Sequence, residues 1–295
     1  MFRLSFASFL LCCMFSSAVA GAQELPYFVT YSHHMEEPGS LEVEAKTSSG
    51  QPQDGDVFYG TSTEIEYGTR AWWTSELYLD SQGTVDESTI FTGFRLENRI
   101  RPLMREHAVN PVVYVEFEDI NGANKSLLEV VGHDVAADLA EDNRTARMTK
   151  EREVELKLIL SSNVKGWNVS ENVIGEKNIT HAPWEFGYAL AASRPLRMKA
   201  SSKECHFCAE TMQVGAEMYG GLGDVASLGT HNTSHYFAPT LNWAMFNAAT
   251  LTVSPGFGLN DHSLSHVYRL GVSYEIGQLS RLFRADSRNV EGTAR

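Results

Sequence analysis

From residue 39 to residue 276 the sequence keeps returning to one texture, in which apolar or aromatic side chains alternate with polar or small ones. The segments are about 8 to 12 residues long and are punctuated by Gly, Asn, Asp, Ser and Pro, the signature of two-faced β-strands. Leu41, Val43 and Ala45 alternate with Glu42, Glu44 and Lys46, and Tyr268, Leu270, Val272, Tyr274 and Ile276 alternate with Arg269, Gly271, Ser273 and Glu275. The same pattern recurs at 57–67, 73–80, 90–97, 113–118, 153–160, 184–191, 212–218, 237–243 and 250–254, and more weakly at 164–173. It predicts about twelve strands, each taking roughly 20 residues with its connection. Residues 123–150 depart from it: Leu127, Leu128, Val130 and Val131 precede a charged, Ala-rich stretch that reads as a long loop or short helix inserted between strands.

The first 22 residues have the layout of a secretory signal, with Arg3, an apolar stretch from Leu4 to Phe15 and small residues through Ala22. Cys12 and Cys13 fall inside it, which leaves Cys205 and Cys208 as the cysteines of the exported chain. A short disulfide suits that pair in an oxidising compartment better than zinc does, because Cys205, His206 and Cys208 supply at most three of four ligands. Residues 23–38 form an N-terminal extension before the barrel region at 39–276, and the aperiodic residues 277–295 form a tail. A formal charge of −13 excludes nucleic acid as a partner.

A soluble sandwich with glutamates outside and a membrane barrel with glutamates inside give the same alternation. Connection length separates them. Links near 68–70, 161–163 and 246–248 are tight, whereas those at 47–56, 80–89, 119–151, 173–183, 220–234 and 258–265 are long, as in an outer-membrane barrel. Links at 101–110 and 194–210 lie on the short side yet are long. Tyr59, Tyr67, Trp73, Trp184, Trp243, Tyr268 and Tyr274 stand near strand ends on the apolar face, as interfacial girdles do. Closure also removes the unpaired edges that a twelve-stranded sandwich would have to cover. The expected fold is therefore all-β, a closed antiparallel up-and-down transmembrane barrel.

With its exported leader, its strand ladder and phrases such as Phe91-Thr92-Gly93-Phe94-Arg95, Trp184-Glu185-Phe186-Gly187-Tyr188 and Val272-Ser273-Tyr274-Glu275-Ile276, the chain resembles bacterial outer-membrane β-barrels of the porin or transporter type. The resemblance implies a place in the cell outer membrane, surrounded by its lipid, and passive transport. It departs from such barrels in carrying residues 277–295 after the last strand, where many end on an aromatic residue.

On this reading the lumen is lined by Glu42, Glu44, Glu64, Glu66, Glu76, Asp80, Glu97, Glu116, Glu118, Glu153, Glu155, Glu185, Glu217 and Glu275, against Lys46, Arg95, Arg99, Lys157 and Arg269. Such an excess favours cationic or neutral solutes. The competing reading is a charged network that fills the barrel and keeps it rigid. His33-His34-Met35-Glu36-Glu37 contains metal-ligating types, but neighbours in an extended chain point apart, so a solvated segment is expected and no metal. No cofactor is expected. Asp224, His231, His235, Asp261, His262, Ser263, Ser265 and His266 cluster in two long loops and define the alternative of a surface hydrolase. A second alternative is an exported soluble β-sheet protein that binds a ligand. Asn124, Asn143, Asn168, Asn178 and Asn232 each begin an Asn-X-Ser/Thr triplet, which chance accounts for.

Overall fold

The computed structural model describes residues 26–126, 131–132, 138–180, 183–198, 205, 207–246, 248–277 and 279. The leader, and most of the expected tail, lie outside the described residues, as do parts of the 123–150 insertion. Twelve strands follow one another: β1 Leu41–Gly50, β2 Phe58–Arg70, β3 Trp73–Thr84, β4 Thr89–Ile100, β5 Asn110–Asn121, β6 Lys150–Val164, β7 Trp167–Asn178, β8 Trp184–Pro195, β9 Met212–Asp224, β10 His235–Phe246, β11 Ala249–Gly258 and β12 His266–Ile276. Every neighbour pair is antiparallel, and β1 pairs with β12 from Leu41 opposite Ile276 to Gly50 opposite Val267, closing the barrel. Closure leaves no sheet edge, which is what a β-structure in hydrocarbon requires.

The outer face is apolar. Leu79, Leu96, Val115, Leu158, Val173, Leu190 and Leu270 are exposed on it, with Tyr59 and Tyr268 towards one end and Tyr67, Trp72, Trp167 and Tyr274 towards the other. The buried positions between them are charged and polar, the reverse of a soluble protein, so the soluble alternative fails on its outer surface and the chain is a transmembrane barrel of outer-membrane type.

One end carries both barrel termini and the connections at 71–72, 101–109, 165–166, 196–211 and 247–248. Strands run further into the turns than the alternation suggests. The link expected at 161–163 is a two-residue hairpin turn at Lys165 and Gly166, with φ of 52° and 83°, a pairing that matches strand twist. At the opposite end the expected long link at 80–89 shrinks to the four residues 85–88, and that at 173–183 to 179–183. The 122–149 connection remains the longest and contains a 3₁₀ turn, Asp138–Ala140, and a short helix α1, Asn143–Ala146, capped by Asp142.

One region of the wall corrects the simple alternation. In β4 the ladder with β3 shifts between Asp80 and Ser81, so Thr92 becomes an extra residue: Phe91 faces outward and Thr92 inward, not the reverse. Gly93 takes up the bulge at φ 154°, pressed against the Asp119 carbonyl where a Cβ has no room.

Candidate functional site

Register turns the inward glutamates into a connected feature. Reading across the strands, Glu185 faces Glu176, Glu176 faces Glu155, Glu155 faces Glu116 and Glu116 faces Glu97. The line continues from Glu97 to Glu76, Glu66, Glu42 and finally Glu275. These nine directly opposed carboxylates cross nine consecutive strands, from β8 through β1 to β12. They begin near the long-loop end at Glu185 and finish at the turn end at Glu275, an acidic staircase around the inner wall. Directly opposed like charges repel, so the staircase needs counter-ions.

The basic residues supply them. Arg99 reaches Glu66 at 2.5 Å and Glu97 at 3.1 Å and also contacts Glu76. Arg95 bridges Asp80 at 2.8 Å and Glu116 at 3.2 Å, and Lys157 meets Glu155 at 2.8 Å. Lys46 lies 3.2 Å from Glu44 and 2.5 Å from Glu64. Tyrosines complete the shell: the Tyr78 hydroxyl lies 2.6 Å from Glu76 and 2.8 Å from Glu97, and Tyr114 donates to Glu116 at 2.8 Å. Arg95 and Lys157 each stack on one of these rings, 4.2 Å from the centroids of Tyr78 and Tyr114. Glu118 is buried on the same wall, while Glu153, Glu185 and Glu275 are half-buried near the openings. Arg269 stands apart from this cluster, over the Tyr219 ring.

The main departure from expectation is the N-terminal extension, whose residues 26–33 lie inside the lumen; of the stretch from His33 to Glu37 expected to be solvated, His33 is buried, whereas His34 and Glu37 are exposed. Glu217, from the middle of β9, accepts the backbone N–H groups of Phe28 at 3.0 Å, Val29 at 2.9 Å and Thr30 at 2.8 Å. Asn172 of β7 accepts the N–H of Tyr31 and donates to its carbonyl, and the Tyr31 hydroxyl donates to Glu97 at 3.0 Å. The segment then descends to the turn end. There His33 is buried, with Nδ1 2.8 Å from Ser161 Oγ and Nε2 3.1 Å from Glu106, and Glu36 N–H donates to Thr74. Gly39 and Gly68 tie its base to β2, where Gly68 lets the Glu37 carbonyl approach too closely for any Cβ. Burial holds His33 below its ordinary pKa of 6.5, partly opposed by Glu106, and Arg101 lowers it further.

Between this segment and the β1–β4 wall lies a cavity of ≈ 120 Å³ bordered by Tyr31, His34, Glu36, Glu44, Lys46, Glu64, Glu66, Glu76 and Arg99. Glu64, Glu66 and Glu76 bring one oxygen each within 4.8 Å of one another, a spacing that could hold a cation, but Lys46 and Arg99 already sit on them. At the long-loop end the described parts of the 122–149 connection are held at two places on the rim. Ser48 of β1 donates to the Ser126 carbonyl on one side, and Gly132 N–H donates to the Phe186 carbonyl of β8 on the other.

The loop residues proposed for a hydrolase do not assemble. Ser263 Oγ donates to the His235 carbonyl and accepts its N–H, both at 2.8 Å, while the His235 ring contacts Tyr188 and Thr233. His231 bonds its neighbour Asn232. Cys205 and Cys208 are disulfide-bonded in the connection between β8 and β9, where Phe207 packs edge-on against Trp243, 5.1 Å between centroids.

The alternation points to the inward carboxylates but not to their alignment, nor to Tyr31, His33, Asn172 and Ser161. The only local signal for the last two is that Ser161, Asn168, Ser170 and Asn172 form a run of small polar inward positions opposite the strongly apolar Val169 and Val173.

No protein-family model matches the sequence, and no curated protein matches it. In structure the barrel is similar to the NanC porin, with a TM-score of 0.50 at 10% identity over 80% of this chain and 100% of that one. It is also similar to an outer membrane channel from Pseudomonas putida F1, at TM-score 0.49, 11% identity, 88% of this chain and 99% of that one. At these identities the likeness concerns the fold alone, a closed antiparallel β-barrel.

Proposed function

We propose that the chain is an outer-membrane channel for small polar or cationic solutes, held closed by its own residues 26–40. The observation that carries this is the acidic staircase, which gives a cation a continuous series of carboxylates from one opening to the other. Charged rings and confined acidic walls select cations because field lines concentrate in a narrow, low-dielectric passage. The segment anchored on Glu217 and Asn172 blocks that path and is linked to β1 by the short stretch through Ser40, so it can leave and return while the barrel stays closed. No cofactor enters this reading.

The test is single-channel conductance of the refolded full chain in a planar bilayer, with the reversal potential in a salt gradient. Rare, cation-selective openings are expected, and Glu116→Gln with Glu155→Gln should shift the reversal potential towards zero. Anion-selective steps would overturn the cation reading. The second reading, a rigid filled barrel, is favoured by the density of buried ion pairs around Arg95 and Arg99, and silence even after Glu217→Gln would establish it.

A further inference from the structure

One seam of the wall is discontinuous. Between β10 and β11 the ladder pairs Tyr236 with Gly258 and Phe237 with Phe257, then resumes at Leu241 with Val253. The register is unchanged across the gap, so Pro239 stands opposite Pro255. Leu259 N–H donates to the His235 carbonyl, which makes every second pair counted from there a hydrogen-bonding pair, and Pro239 with Pro255 is one of them. Neither proline has an N–H, so two consecutive bonds of the ladder are absent from the middle of the wall, where lipid offers no substitute. Among the described residues no other seam lapses in this way.

The surroundings suit an opening. Small residues line the lapse on its inner face: Ala238 and Thr240 on β10, Ser254 and Gly256 on β11. Thr240 and Ser254 are 5% and 1% exposed, and neither hydroxyl has a hydrogen-bond partner. Tyr219 reaches over from β9 with its hydroxyl towards Gly256 and its ring between Tyr236 and Arg269, so the lumen side of the gap is covered by aromatic faces with a phenol and a guanidinium at their margin.

We infer that the β10–β11 seam is a lateral passage between the lumen and the bilayer for a slender amphipathic solute. Its apolar body would slide past Tyr219, and its polar group would bond the Thr240 and Ser254 hydroxyls. This route is distinct from axial passage along the staircase and does not depend on it.

The experiment places a single reactive thiol behind the seam, Ser254→Cys, in the full chain reconstituted in phosphatidylcholine vesicles. Labelling by N-(1-pyrenyl)maleimide, which partitions into lipid, is compared with labelling by a sulfonated maleimide confined to water. Ser62→Cys, buried on the inner face of β2 behind an unbroken ladder, is the control. The pyrenyl reagent should label Ser254→Cys faster than Ser62→Cys. Restoring both donors with Pro239→Val and Pro255→Val, which adds wall hydrogen bonds, should slow it roughly tenfold. Equal rates at the two thiols, a rate unchanged by the restored donors, or preference for the sulfonated reagent at Ser254→Cys would each overturn the inference. Axial conductance, measured separately, reports on the channel reading alone.

Discussion

The Asn172 side chain grips the backbone of Tyr31 at both ends, accepting its N–H at 2.6 Å and donating to its carbonyl at 2.9 Å. That pairing imitates a strand ladder across the lumen and fixes the depth at which the N-terminal segment docks. Asn172→Ala removes both bonds and should weaken docking by about 2 kcal/mol, roughly a 30-fold shift towards the undocked segment. Bilayer recordings should show open probability rising accordingly. Glu217→Gln should act in the same direction, and the double variant less than additively, because both anchor adjoining residues.

Docking should also respond to acid. His33 is held below 6.5 when docked and returns to about 6.5 when released, so the undocked state binds more protons. Its contribution is complete above pH 6.5 and is lost as pH falls towards the docked value. Burial raises the Glu106 carboxyl, but His33, Arg101 and Asn110 together hold it below its ordinary value, which adds a loss at still lower pH. Open probability measured from pH 7.5 to 5 should rise, and His33→Gln should flatten the upper part of that response.

Arg99 holds three staircase carboxylates at once. Replacing it with Met leaves Glu66, Glu76 and Glu97 facing one another in a buried wall, at a cost of about 3–5 kcal/mol. The barrel should lose its folded, heat-resistant gel migration at a lower temperature or urea concentration. Unchanged resistance would mean that the carboxylates take up protons in place of the lost guanidinium.

Reduction of Cys205–Cys208 should leave barrel stability almost unchanged. The bridge spans three residues in a connection at the turn end, so it removes little chain entropy, and the wall hydrogen bonds on either side do not depend on it. Heat-induced unfolding with and without reductant checks this.

Much of the barrel is legible in the sequence because the side-chain period of a strand is local: Leu41 to Lys46 declare both faces without reference to any partner. The staircase is not legible, because it depends on which residue of β5 lies beside which residue of β6, a matter of register fixed by turns and bulges far from Glu116 and Glu155. The bulge at Thr92 escaped for the same reason. Residues 26–40 have no period at all, and their polar groups read as solvated until the Glu217 and Asn172 acceptors are brought over them. Pro239 and Pro255 are each visible in the chain, but only the closed topology makes them opposites.

Because the docked segment leads directly into β1, the lumen contains a permanently tethered competitor. A short tether places such a ligand at an effective concentration of roughly millimolar, independent of how dilute the protein is. A free solute that binds the wall around Glu217 or Asn172 must therefore exceed that level, or bind more tightly, before it displaces the segment. On the proposed channel reading the barrel would thereby have a threshold, ignoring traces of a solute and admitting it when abundant, with no second protein needed to set it.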